Sequence, residues 1–380
     1  MTRRRVRPGR FGQRLFVGAG LLALGAGCDE PDETQSLLNA LESQAVTSAA
    51  PAAVTSTASV DINPRLLRRF QALRSQIETP ENPLTQAKID LGRQLFFDPR
   101  LSKNQKISCN TCHLLDHYGV DGLPTSVGHR GQHGTRNSPT VYNAAGFFAQ
   151  FWDGRADTVE QQATGPILNP VEMALASPDQ AVKVLNSIPE YREAFKKSFP
   201  AEGNPVTFNN AAHAIGAFER RLITPSRWDE YLRGKQDALT VPELEGLKLF
   251  TNIGCMVCHT GEFVGGAMFQ KVGIVEEWPD QRDQGRFVVT KQETDRMMFK
   301  VPTLRNVAKT APYFHDGSVG TLDAAVRRMG RYQLGLTLSD QETSSIVTWL
   351  GSLTGELPLE YIKTPELPPS TPETPTSDPT

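Results

Sequence analysis

The segment Cys109-Asn110-Thr111-Cys112-His113 returns in a second form as Cys255-Met256-Val257-Cys258-His259. Two thiols at that spacing can form thioethers with the two vinyl groups of one porphyrin, and the His that follows reaches the iron from one face. This is the covalent attachment pattern of a c-type haem. A redox dithiol needs no such His, and a zinc site could use all four thiols. Repetition of the whole Cys-x-x-Cys-His unit in an exported chain favours two covalent haems over both alternatives. Of the five cysteines only Cys28 is left over.

The residues leading into each motif are also alike. Leu91-Gly92-Arg93-Gln94-Leu95-Phe96 precedes the first and Glu245-Gly246-Leu247-Lys248-Leu249-Phe250 the second, sharing Gly-x-x-Leu-Phe on an amphipathic helix. This points to duplication of a small haem-binding unit. Thr240-Val241-Pro242-Glu243 supplies a capping box with Pro in the first turn for the second helix. The stretch from Phe96 to Cys109 is longer than that from Phe250 to Cys255, so the first haem is expected to be more accessible. Apolar positions recur at helical spacing in 66–77, in 181–199 with a break near Pro189, in 208–222 and in 346–353, the last behind the capping box Ser339-Asp340-Gln341-Glu342. Gly-, Pro- and Asn-rich runs at 119–138, 165–170 and 261–285 predict loops round the cofactors, and no pattern asks for an extensive sheet. The expected fold is mainly α, with two cytochrome c-like haem domains in tandem and long cofactor-wrapping loops.

The ends of the 380-residue chain have a different character. Residues 1–28 carry six Arg and no acid, then an apolar run from Leu15 to Gly27, which is the layout of an export signal and is short for a membrane span. Leu24-Gly25-Ala26-Gly27-Cys28 resembles a bacterial lipoprotein cleavage site, with Gly25 in place of the usual Leu, so a periplasmic protein with a lipid on Cys28 is expected. Residues 29–62, acidic and without Lys, Arg or aromatic side chains, read as a flexible linker, and 357–380 as a disordered Pro/Thr-rich tail. The two haem domains are then assigned to 63–224 and 225–356. A hydrophobic fraction of 38% and a net charge of -2 exclude a wholly disordered chain. Most of the acidity of the exported form lies in its two ends, so overall charge gives no acidic docking face for a basic partner. No nucleic-acid partner is expected.

The sixth ligand of each iron separates a carrier from a catalyst. His117, His129, His133, His213 and His315, with Met173, Met268, Met297, Met298 and Met329, are the candidates, and spacing does not choose among them. Met256 lies inside an attachment motif and cannot easily cross to the other haem face.

Longer stretches carry a family resemblance. Ser108 to His113, Pro124-Thr125-Ser126-Val127-Gly128-His129, Arg136-Asn137-Ser138-Pro139-Thr140-Val141 and Gln150-Phe151-Trp152-Asp153-Gly154-Arg155 closely resemble the bacterial dihaem cytochrome c peroxidases. Gly165-Pro166-Ile167, Val171-Glu172-Met173, Gly285-Arg286-Phe287, Leu304-Arg305-Asn306-Val307 and Thr310-Ala311-Pro312-Tyr313-Phe314-His315 continue the likeness in the same order, over about residues 65–355. The resemblance implies reduction of hydrogen peroxide to water with electrons from a small periplasmic donor, a cytochrome c or a copper protein. In it His113 is the proximal ligand of the N-terminal, peroxidatic haem, and His129 the distal ligand that leaves on activation. His259 and Met329 hold the C-terminal, electron-transfer haem, and Trp152 lies on the electron route. Glu172 matches the family's acid/base and Gln162 a pocket amide that orients peroxide. Asn137, Thr310 and Pro312 match the protein ligands of a calcium ion, and family members are commonly homodimers. Two other functions compete: a dihaem electron-transfer protein without peroxidase activity, which would not need Gln162, Glu172 or the His129 loop, and a related dihaem oxidase acting on a partner protein, in which a Tyr stands where this chain has Met329.

Overall fold

The computed structural model describes residues 60–380. The export signal and lipid anchor expected at 1–28, and nearly all of the 29–62 linker, lie outside the described residues.

Among the described residues eight helices have ten residues or more: α1 Gln86–Phe97, α2 Val159–Leu168, α3 Pro178–Ser187, α4 Pro189–Ser198, α5 Phe208–Glu219, α6 Val241–Asn252, α7 Leu322–Leu334 and α8 Asp340–Gly351. The expected entry signals are in place: Thr240 with Glu243 and Ser339 with Glu342 close reciprocal capping boxes on α6 and α8. Pro189 ends one helical run and opens the next, because its ring is tolerated in a first turn but not in a helix interior. The described sheet is a single antiparallel pair, β1 Phe269–Lys271 with β2 Met298–Lys300. No described helix is long and apolar enough to cross a membrane.

The repeated Gly-x-x-Leu-Phe motif has a packing cause. A Cβ added at Gly92 would stand 1.8 Å from the Ala214 carbonyl oxygen, so α1 can lie against α5 only with glycine there. At the equivalent place in α6, a Cβ on Gly246 would stand 2.0 Å from the Ser345 carbonyl oxygen of α8. The Phe of each motif is buried beside its crossing: Phe96 packs against Phe218 of α5, and Phe250 against Trp349 of α8. Two apolar clusters result, one around Leu91, Leu95, Phe96, Ile215 and Phe218, the other around Trp228, Leu247, Phe250, Ile346 and Trp349.

Three expectations are corrected. The helix expected over 66–77 is only Pro64–Leu67, because the following backbone makes tertiary bonds instead: Phe70 bridges to Gly261, and the Leu73 amide donates to Asp229 Oδ1 at 2.7 Å. Phe70 therefore belongs to the second cluster, although the sequence boundaries place it with the first, and Ile62, the last residue of the expected linker, joins the same cluster. The loop expected at 165–170 begins as the last turn of α2, whose buried face of Val159, Ala163 and Ile167 outweighs the breaking tendency of Gly165 and Pro166.

The third correction concerns the tail at 357–380. It is laid across the first cluster rather than disordered. Tyr361 stacks on Phe218 at 5.0 Å and donates its hydroxyl to the Phe218 carbonyl, while Ile362 is buried in the same core. Beyond it, polar side chains of the body hold the tail's carbonyls: Arg93 Nε donates to Lys363 O at 3.0 Å, Arg100 Nη1 to Pro368 O at 2.8 Å and Gln105 Nε2 to Pro375 O at 2.7 Å. A Pro-rich extended strand cannot build a core of its own, yet it leaves its carbonyls free for such donors. Deleting 357–380 is expected to cost on the order of 3 kcal/mol, mainly from Tyr361 and Ile362, and deleting only 364–380 clearly less. Urea unfolding midpoints of the two truncations would show this, and equal midpoints for both and the full chain would mean that the tail is detached in solution.

Candidate active site

Cys109 and Cys112 open and close a one-turn helix capped by Ser108 and Thr111, with His113 as its C-cap. The second motif makes a 3-10 turn, Cys255–Val257, behind Gly254, whose φ of 108° suits glycine. All four thiols are free. Burial pushes Cys112 up to about 11 and Cys255 to about 12, and Cys109 is also raised. A redox dithiol needs the opposite, a lowered pKa on the attacking sulfur. Among the described residues no group of three or more His, Cys, Asp or Glu side chains is gathered for a metal, which removes the four-thiol zinc reading.

The histidines of both motifs are buried in a form suited to neutral ligands. Burial lowers the His113 ring, whose Nδ1 lies 3.2 Å from the Gly119 carbonyl and 3.3 Å from Ser138 Oγ. With Nδ1–H donated to the carbonyl, Nε2 keeps its lone pair for an iron. Burial pushes His259 down to about 4, against the opposing effect of the Val264 and Pro302 carbonyls. Its Nδ1 is buried without a hydrogen bond of good geometry. His259, Cys255, Cys258 and Met329 of α7 line one largely apolar cavity, with Phe250 and Leu350 behind them. The donor set fits a haem: two thiols, a neutral imidazole and a thioether around an apolar space.

The same cavity reaches Trp152, Asn137 and Ser138. Trp152 Nε1 donates to the Asn137 carbonyl at 2.9 Å, and the next residue, Ser138, is the one whose hydroxyl meets His113. A short covalent and hydrogen-bonded path thus joins the wall of this cavity to His113 of the first motif. Thr310 and Pro312 line this wall too. Asn137 Nδ2 donates to the carbonyls of Leu123 and Pro124, at 2.9 and 3.4 Å.

His129 is buried, with its Nδ1 unpartnered and its Nε2 3.4 Å from Thr380 O. Its backbone N donates to the Glu172 carbonyl at 2.8 Å. Gly128 makes that approach possible, since a Cβ there would lie 2.0 Å from the Val171 carbonyl oxygen. Burial raises the Glu172 carboxyl above the usual carboxylate range, although Arg155 and a 2.9 Å hydrogen bond from Asn169 Nδ2 oppose the shift. Gln162 lies half-buried on α2, and among the described residues its side-chain amide makes no hydrogen bond.

Comparison with known proteins decides the family. The family model for di-haem cytochrome c peroxidase matches residues 86–237. The cytochrome c551 peroxidase of Nitrosomonas europaea is 48% identical over 303 residues, covering 79% of this chain and 88% of that protein. The cytochrome c551 peroxidase of Pseudomonas aeruginosa is also 48% identical, over 80% of this chain and 89% of its own length. The chain belongs to the di-haem cytochrome c peroxidase family. It is a dihaem peroxidase, an oxidoreductase with peroxide as acceptor. Among solved structures, a MauG-like protein associated with microbial copper homeostasis superposes with a TM-score of 0.70 at 28% identity, over 77% of this chain and 97% of that one.

Sequence reading offers His315 only as one candidate ligand among several and does not single out Lys300. His315 is buried face to face with Phe299 at 4.1 Å, and burial lowers its pKa. Lys300, beside it on β2, is buried in the wall of the cavity. Neither position lies in a periodic pattern: the pairing of β1 with β2 places Lys300, and stacking on Phe299 of β2 together with the Asn137 N–H bond to its carbonyl places His315.

Proposed function

We propose that this peroxidase reduces hydrogen peroxide to water on the side of the first site that faces Glu172, drawing two electrons and two protons per peroxide, with a small cytochrome c or copper protein as donor. The observation that carries this reading is the buried Glu172, its carboxyl raised by burial and its main-chain carbonyl accepting the His129 N–H. A permanently six-coordinate carrier has no use for such a group. When bound to Cys109, Cys112 and His113 and to Cys255, Cys258, His259 and Met329, the two haems supply O–O cleavage and electron storage respectively.

The chain's own part is to move protons and to open a coordination place. The Glu172 carboxylate takes the proton from the near peroxide oxygen and returns it to the departing one, a task suited to a carboxyl with a raised pKa. The free amide of Gln162 orients peroxide by donating or accepting a hydrogen bond. The main-chain hydrogen bond from His129 to Glu172 joins the loop that carries the distal histidine to the segment that carries the acid/base, so a rearrangement of that loop is expected to reach Glu172 as well. Trp152, Asn137 and Ser138 give the electron route between the two sites. Asn137 Oδ1, with the carbonyls of Thr310 and Pro312, suits a calcium ion, a hard cation that takes amide and carbonyl oxygens. The Asn137 amide nitrogen is already engaged, which leaves Oδ1 as the free acceptor.

The two-unit division, with one glycine-mediated helix crossing per haem, belongs to the same reading, as do export to the periplasm, a lipid on Cys28 and a homodimer. Absorbance and electron paramagnetic resonance spectra of the half-reduced protein test the proposal. An open high-spin haem is expected to appear on reduction of the His259/Met329 site. Two haems that stay low-spin, with no peroxide turnover, would identify a carrier instead.

A further inference from the structure

The cavity lined by Cys255, Cys258, His259 and Met329 has no Asp or Glu in its wall, yet it contains a buried lysine. Lys300 is only 6% exposed. Among the described residues it has no ion pair and its ammonium donates no hydrogen bond; Nζ stands over the Phe147 ring, 4.7 Å from its centroid. The acid with most influence on it, Asp153, is already held by Arg136 and Arg155, at 2.5 and 3.0 Å. Burial pushes Lys300 down to about 7, a sign of how poorly the protein alone answers its charge.

A buried ammonium without a counter-ion is costly, and the cost is removed when an anion shares the same low-dielectric space. A haem seated in this cavity brings two carboxylates on its propionate arms. We infer that Lys300 is the protein's counter-charge for a propionate of the C-terminal haem. The inference rests on the placement of that haem at the second attachment motif. The backbone fixes the lysine for this purpose: its N–H donates to the Trp152 carbonyl at 2.8 Å, and its strand pairs with β1 through Phe269. The same bond ties it to the aromatic residue on the route between the two sites. Neutralising a propionate with a buried cation disfavours the additional positive charge of the oxidised iron and so raises the potential. Lys300 is thus a positioning and tuning residue for the electron-storing site rather than a catalytic one.

Lys300→Met and Lys300→Arg test this in the holoenzyme by spectroelectrochemical titration. In Lys300→Met the midpoint potential of the C-terminal haem is expected to fall while that of the N-terminal haem stays put, and Lys300→Arg should restore most of the difference. Resonance Raman spectra of the reduced protein read the contact directly, because the propionate bending band shifts when its partner changes. That band is expected to move in Lys300→Arg even if Lys300→Met does not accumulate with two haems. An unchanged C-terminal potential in Lys300→Met, equal falls at both haems, or an unmoved Raman band would each overturn the role of Lys300. Wild-type peptides carrying no haem on Cys255 and Cys258, seen by mass spectrometry, would overturn the placement itself.

Discussion

Replacing Glu172 by Gln is expected to lower peroxide turnover by about 100- to 10,000-fold, the usual worth of a positioned proton carrier, while both haem spectra and the stoichiometry of two haems remain. The amide keeps the shape and the hydrogen-bonding reach of the acid but cannot accept a proton from peroxide. The pH dependence gives a second reading. Burial raises the Glu172 pKa, so the base form is lost at higher pH than for an exposed carboxylate, and the wild-type kcat/KM should fall on the acid side through that raised value. In Glu172→Gln this acid limb should vanish from the residual activity. Wild-type turnover in the variant would sink the assignment of Glu172 as acid/base.

The largest expected loss of stability comes from Arg305→Met. Arg305 and Asp229 are both fully buried and meet through two parallel bonds of 2.8 and 2.9 Å. The guanidinium also donates to the Glu262 carbonyl at 2.6 Å and to Gln71 O at 3.4 Å. The carboxylate in turn accepts the Leu73 and Ser226 amides, at 2.7 and 2.8 Å. One ion pair therefore clips 71–73, the cap of the Arg227–Leu232 helix, and the 262 and 305 loops together. Removing the arginine strands a buried carboxylate and is expected to cost about 3–5 kcal/mol. A urea midpoint lowered to match would confirm it. Arg305→Met/Asp229→Leu should recover only part of the loss, because the Leu73 and Ser226 amides then lose their acceptor.

Legibility followed the range of the interaction that fixes each feature. The attachment motifs, the capping boxes on α6 and α8 and the break at Pro189 depend on neighbours within a few residues, and all could be read directly. The repeated Gly-x-x-Leu-Phe could be seen but not explained, since its cause is the carbonyl of a helix about a hundred residues away. The Glu172 assignment came from family likeness, because a Glu between Val171 and Met173 has no local mark of chemistry. Its raised pKa and its tie to His129 arise only when the 128 and 171 loops touch. The tail was misjudged for a related reason: composition reports that a Pro-rich strand cannot fold alone, and says nothing of Arg93, Arg100 and Gln105 waiting for its carbonyls.

The sequence by itself determined that this chain carries two covalent haems, is mainly helical and sets four of its five cysteines in attachment motifs, because each of these is written in residues that act within one turn of chain. Tertiary structure alone decided which buried groups face which site: Lys300 opening into an acid-free cavity, Trp152 linked through Asn137 and Ser138 to His113, and His129 fastened to Glu172. Charge and proton affinity depend on solvent exclusion and on partners brought together from distant segments, and a linear pattern records neither.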